Sequence, residues 1–172
     1  MHLPSMNRAI FTSPHEFKLE HGTSLSSLEI VYHSDGVLNA QKDNVIWFCH
    51  ALTANSDVAD WWDSLVGVGK TYDPTKYFII CANIIGSCYG SSGPLTIDKE
   101  TNRPYYSNFP MVTIRDMVQA HILLRKHLGI EKINTLIGGS MGGYQVLEWA
   151  VAEPQVIDQL VLVATSPQES AW

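Results

Sequence analysis

Hydrophobic residues fall into two patterns that alternate along the chain: short unbroken runs, and longer runs that repeat every three to four positions. Residues 45–49 and 77–82 are continuous apolar runs of strand length, the signature of strands covered on both faces of a parallel sheet, and residues 133–137 and 160–164 read as two further strands. Residues 113–128 instead follow a helical period, with Ile114, Met117, Val118, Leu124 and Leu128 on one broad face. Thr113 is the expected N-cap, Asp116 suits the dipole of the first turn, and Gly129 is the expected stop. A second helical pattern covers 141–152, and Pro154 closes it. Nearer the start, residues 16–20 and 28–33 are extended candidates separated by the polar stretch 22–27, which predicts that they form an antiparallel pair. Strands alternating with helices predict a right-handed, mostly parallel α/β sheet with its active groups at the carboxyl ends of the strands. No repeat, low-complexity tract or Gly/Ser linker divides the chain, so a single domain over residues 1–172 is expected.

Composition narrows the classes further. With 172 residues, 45% hydrophobic and 16% charged, the chain is long enough for one core and is neither disordered nor membrane-spanning in composition. Lys and Arg number 11 against 17 Asp and Glu, without a basic cluster, so the electrostatic footprint of nucleic-acid binding is missing. Residues 1–8 carry no long apolar run behind a basic patch, and no segment approaches the roughly 18 apolar residues of a transmembrane helix. Cytoplasmic placement and small-molecule chemistry are therefore expected. Cys49, Cys81 and Cys88 are odd in number and form no C-x-x-C pair, which predicts buried or loop thiols and neither a disulfide framework nor a zinc site. Asp57, Asp60 and Asp63 have the spacing of a helical polar face, and no metal is expected.

The chemistry concentrates between the third strand and the second helix. Gly138-Gly139-Ser140-Met141-Gly142 satisfies G-x-S-x-G in the strand, sharp turn, helix context that a nucleophile elbow needs. Glycines flank the serine because the chain doubles back tightly, and the helix start supplies free N–H groups and a positive dipole end for a developing oxyanion. Met141 N–H is the first candidate donor. Leu52 N–H, in the His50-Ala51-Leu52-Thr53 loop after an earlier strand, is the second. A P-loop fails for want of Gly-Lys-Ser/Thr, and a dinucleotide loop fails because serine stands at position 140 and Asp158 precedes its strand. His50 reads as loop-shaping, because in this fold the base arrives on a loop after the last strands.

Several unusual segments in this order resemble the homoserine O-acetyltransferase family: Cys49-His50-Ala51-Leu52-Thr53, Trp61-Trp62-Asp63, residues 83–94 reading NIIGSCYGSSGP, Phe109-Pro110 with Thr113-Ile114-Arg115-Asp116, and GGSMGG. The resemblance covers roughly residues 17–172, including Ala164-Thr165-Ser166 at the end of the last strand. It implies an α/β-hydrolase fold, truncated here after the strand that follows the nucleophile helix. It also implies a ping-pong transfer in which Ser140 takes an acetyl group from acetyl-CoA and L-homoserine then accepts it, a step of methionine biosynthesis with no bound cofactor. Ser140 is then the nucleophile, and Leu52 and Met141 furnish the oxyanion hole. The family's Asp, His and carboxylate-binding Arg have no positions in this sequence, so the chain reads as incomplete at its C-terminus. The resemblance leaves a homodimer open for the intact protein.

Other residues keep two readings. Trp61 and Trp62 line a substrate tunnel or pack beside it. Arg115 forms a surface ion pair, with CoA-phosphate binding as the alternative, and Tyr89, Ser91 and Ser92 are expected in an active-site wall. Serine as acceptor, a succinyl donor, an esterase or thioesterase, and a non-catalytic fragment remain the competing functions.

Overall fold

The computed structural model describes residues 6–168. The chain enters through β1 (Asn7–Thr12), makes a two-residue hairpin of β2 (Phe17–Lys18) and β3 (Ser24–Leu25), and continues into β4 (Glu29–Asp35) and β5 (Val45–Cys49). A single helical turn, α1 (Val58–Trp61), leads to β6 (Phe78–Ala82), and a long excursion holds the small pair β7 (Ile97–Asp98) and β8 (Arg103–Pro104). Then come α2 (Ile114–His127), β9 (Ile133–Gly139), α3 (Met141–Ala152) and β10 (Ile157–Val163).

Six strands build the main sheet in the order β1-β4-β6-β5-β9-β10. The four from β6 to β10 run parallel, while β4 is antiparallel to both β1 and β6. The unbroken apolar run at β5 has a direct cause: it is the strand buried at every residue. Val45, Trp47 and Cys49 join the core that also holds Val118, Leu124 and Val146, and Ile46 and Phe48 join the core on the other face with Val58 and Val66. Trp47 meets Trp149 of α3 edge to face at 5.0 Å. Each such buried side chain contributes roughly 1.5–3 kcal/mol of burial free energy.

Helix α2 begins as its sequence predicts. Thr113 accepts from the Asp116 N–H while Asp116 reaches back to the Thr113 N–H, a reciprocal capping box. Asp116 also accepts from the backbone of Glu20 at 2.8 Å, tying the β2–β3 hairpin to the helix. Gly129, at a φ of +68°, ends it. The buried face differs from the predicted stripe: Ile114, Met117 and Leu128 are only half-buried, whereas Ala120, His121, Ile122 and Arg125 are inside. Arg125 is held there by Glu153 at 2.9 Å and by the Ile130 carbonyl.

The predicted pairing of residues 16–20 with 28–33 is not formed. Leu19 N–H bonds Thr23 O and Gly22 takes a φ of +87°, so the turn closes on the nearby 24–25 instead, and β4 is left to bridge β1 and β6. Strand β1 escapes notice in the sequence because only Phe11 of its six residues is buried. The acidic trio is not one helical face, since α1 is a single turn with Asp57 as its cap and Asp63 beyond it. Among the described residues no helix is long and apolar enough to cross a membrane. Of the stretch that carries the resemblance, residues 169–172 lie outside the described residues, as do 1–5.

Candidate active site

Ser140 stands between the last residue of β9 and the first of α3. Its φ of 52° and ψ of −123° lie where side-chain-bearing residues are strained. The backbone around it enforces that conformation: Ser140 N–H donates to Val163 O at 3.0 Å, and Gly143 N–H donates to Ser140 O at 2.9 Å. Two glycines permit the close approach. A Cβ on Gly138 would overlap the Gly142 carbonyl, and one on Gly142 would overlap the carbonyl of Cys49. The first turn of α3 is therefore pressed backbone to backbone against the end of β5.

That contact follows from the sheet order. Strands β5 and β9 are neighbours, with Cys49 opposite Gly138, so the loop leaving β5 and the turn leaving β9 emerge side by side at the carboxyl edge. Ser140 and Leu52 are both exposed, and with Met141 they line one cleft of about 990 Å³. Met141 is the first residue of α3, where N–H groups have no intrahelical partner. Leu147 and Val151 make the wall apolar, and Glu148 brings a carboxylate to it. Among the described residues that line this cleft there is no histidine.

His50, adjacent in sequence to the candidate oxyanion loop, is 1% exposed. Its Nδ1 donates to Ala51 O at 2.8 Å and its Nε2 accepts from Ile84 N–H at 3.3 Å. A carbonyl can only accept and an amide can only donate, so the tautomer carrying the proton on Nδ1 is set by its partners. Burial lowers the pKa of the ring, opposed by the bond to Ala51. A neutral imidazole with both nitrogens engaged shapes the loop, in agreement with the sequence reading.

The other candidates separate from the cleft. Trp62 packs on Phe48 at 5.8 Å, and Trp61 stacks against Trp62 while donating to Asn55 O at 2.9 Å. Both side chains serve packing. The expected wall of Tyr89, Ser91 and Ser92 does not line the Ser140 cleft. Ser91 and Ser92 are buried, with their hydroxyls accepting from Val31 N–H and Glu29 N–H of β4, and their loop borders a second cavity of about 710 Å³. The backbone of β4 thus claims the serines that the sequence suggested for the site. Arg115 forms the expected surface ion pair, at 2.7 Å to Glu148 and 2.5 Å to Glu20. Through Glu148 it stands at the cleft's rim.

Cys49 and Cys81 are buried and Cys88 is exposed, all as free thiols, and burial pushes the Cys49 and Cys81 thiols well up. No group of three or more metal-ligating side chains gathers among the described residues. One polar residue of the site was not foreseen: Gln145, fully buried on α3, donates from Nε2 to His50 O at 3.3 Å. Its signal is an amide at an inward position one turn after Met141, on a buried face whose other members are Gly142, Gly143, Val146 and Trp149.

The sequence profile of the alpha/beta hydrolase fold family matches residues 44–172. A relative from Cyclobacterium marinum named homoserine O-acetyltransferase is 46% identical over 167 residues, which is 97% of this chain and 48% of that protein. The crystal structure of homoserine O-acetyltransferase from Bacillus anthracis superimposes with a TM-score of 0.91 at 29% identity, over 98% of this chain and 49% of that one. The acetyl esterase MekB superimposes with a TM-score of 0.82 at 30% identity, over 96% and 46%. The chain spans about half the length of the relatives it matches.

Proposed function

The chain belongs to the alpha/beta hydrolase fold family, and on that premise we propose that it carries the nucleophile and oxyanion hole of an acyltransferase moving an acetyl group from acetyl-CoA to the hydroxyl of L-homoserine. The observation that carries this reading is the 46% identity to a protein named for that reaction, across a stretch that includes the strained Ser140.

In this mechanism Ser140 Oγ bonds the thioester carbonyl carbon while a general base takes its proton. The carbonyl oxygen gains negative charge facing the N–H groups of Leu52 and Met141, where the start of α3 adds its dipole. Collapse breaks the C–S bond, and CoA leaves as the thiol with the proton returned by the base. The homoserine hydroxyl then attacks acyl-Ser140, gives its proton to the same base, and leaves as the acetyl ester, a methionine precursor, as Ser140 regains its hydrogen. His50 is engaged on both nitrogens and the Glu148 carboxylate of the cleft wall is paired with Arg115, so in this reading the base is a group outside the described lining of the cleft. In this reading residues 1–172 form one domain that needs that group to turn over. Loss of triad members costs on the order of a millionfold in related chemistry.

The similarity to an acetyl esterase favours a second reading, in which water is the acceptor. The test joins this chain to the remaining half of the Cyclobacterium marinum relative and measures CoA release from acetyl-CoA with and without homoserine, then maps the acetyl group by peptide mass spectrometry. Stimulation by homoserine with acetyl recovered on Ser140 is expected. Equal rates with and without it favour the esterase, stimulation by serine moves the acceptor, and acetyl on any other residue removes Ser140 from its role.

A further inference from the structure

Gln145 is 0% exposed on α3, at an inward position where helices normally carry apolar side chains. Its Nε2 lies 3.3 Å from His50 O and 3.5 Å from Met141 O. One side-chain amide thus reaches both backbone segments that hold the candidate oxyanion donors, two residues before Leu52 and at Met141 itself. The same turn of α3 presents Gly142, whose α-carbon leaves no room for a Cβ beside the carbonyls of Cys49 and His50. From the opposite side the His50 ring ties Ala51 O to Ile84 N–H. The run 49–52 is therefore pinned between α3 and the loop after β6, and Gln145 is the polar link on the α3 side.

Packing alone does not account for an amide there. Gln145 Oε1 has no hydrogen-bond partner among the described residues, so the side chain bears an unsatisfied buried carbonyl that a methionine of similar length would avoid. What the amide adds over such a residue is its N–H pair. We propose that Gln145 is a positioning residue that sets the spacing between the Leu52 and Met141 N–H groups. The proposal rests on the oxyanion role given to those groups above. Donors act on a transition state only when placed for the oxyanion, so a loosened pair lowers the chemical step and leaves substrate affinity alone.

Two measurements test it. On residues 1–172, amide hydrogen exchange compares the parent with Gln145→Met and with Gln145→Asn, which keeps polarity but is one methylene too short. Exchange over 50–54 and 141–143 is expected to quicken by about tenfold, with β6 and β9 unchanged as the internal check on folding. In the chain joined to the Cyclobacterium marinum half, p-nitrophenyl acetate reads acylation of Ser140 whatever the later acceptor. There kcat is expected to fall by about ten- to a hundredfold in both variants, with KM within about twofold. Unchanged exchange over both segments, or a fall in melting temperature with kcat intact, overturns the proposal. If the parent fusion forms no acyl-Ser140, the functional reading fails instead, and the exchange measurement still decides whether Gln145 holds the two segments together.

Discussion

Replacing Ser140 with glycine should make the fold more stable. The residue sits at φ 52° and ψ −123°, a conformation that costs a residue with a Cβ about 1–3 kcal/mol. Its backbone is fixed by the bonds from Ser140 N–H to Val163 O and from Gly143 N–H to Ser140 O, neither of which involves the side chain, so glycine inherits the geometry without the strain. Against this, glycine adds about 0.4–1 kcal/mol of chain entropy to the unfolded state. The net expectation is a gain of about 0.5–2 kcal/mol, or a few degrees in Tm for a chain of this size. Alanine is the control, because it removes the hydroxyl but keeps the Cβ that carries the strain. Urea denaturation of residues 1–172 at pH 7, followed by tryptophan fluorescence, compares the parent, Ser140→Gly and Ser140→Ala. If the glycine variant is no more stable than the alanine variant, the argument that the turn stores strain at this residue is refuted.

Three further outcomes follow from the packing. Arg125→Met should cost about 3–5 kcal/mol in the same denaturation assay, because it leaves the largely buried Glu153 carboxylate without its cation and Ile130 O without its donor. His121 is fully buried and its pKa is pushed down to about 3, chiefly by desolvation. The unfolded chain therefore takes up a proton below about pH 6.5 that the folded chain refuses, and stability falls with pH across that window. From pH 7 to pH 5 this amounts to roughly 2 kcal/mol, which His121→Phe should remove from the measured pH dependence. Finally, among the described residues β10 lies at the edge of the sheet with Leu160 and Leu162 each more than 40% exposed, a template for pairing between chains. Residues 1–172 should self-associate in light scattering, and Leu162→Lys should raise the monomer fraction.

Local rules were sufficient for much of the fold. Residues 45–49 are an unbroken apolar run because both faces of the strand are covered, and burial on both sides leaves no polar position to confuse the reading. Thr113, Asp116 and Gly129 announce the ends of α2, since a cap acts through bonds within a few residues. The glycines around Ser140 mark the elbow because they stand next to it in sequence, although the contacts that require them include the Cys49 carbonyl of β5. Pairing was legible only where sequence neighbours decide it. Strand β4 carries a strand pattern, but whether it pairs with 16–20 or bridges β1 and β6 depends on segments about 20–45 residues away, and alternation along one strand says nothing about its neighbours.

The same division holds at the site. Ser140, Met141 and Leu52 could be singled out from sequence because an elbow and the loop of an earlier strand have recognisable local forms. That they share a cleft comes from β5 and β9 lying side by side. The assignment of Ser91 and Ser92 to the site failed because their hydroxyls are consumed by the backbone of β4. Gln145 could not be weighed at all until α3 was laid against the end of β5, for a side-chain amide has a meaning only once its acceptors are in place. The sequence by itself determined the elements and the strained serine between two of them, since capping, glycine turns and burial period act over a few residues. Only the tertiary structure decided which loops meet around that serine and which polar side chains are already spent elsewhere, because hydrogen bonds between distant segments are chosen by the packing of the whole sheet.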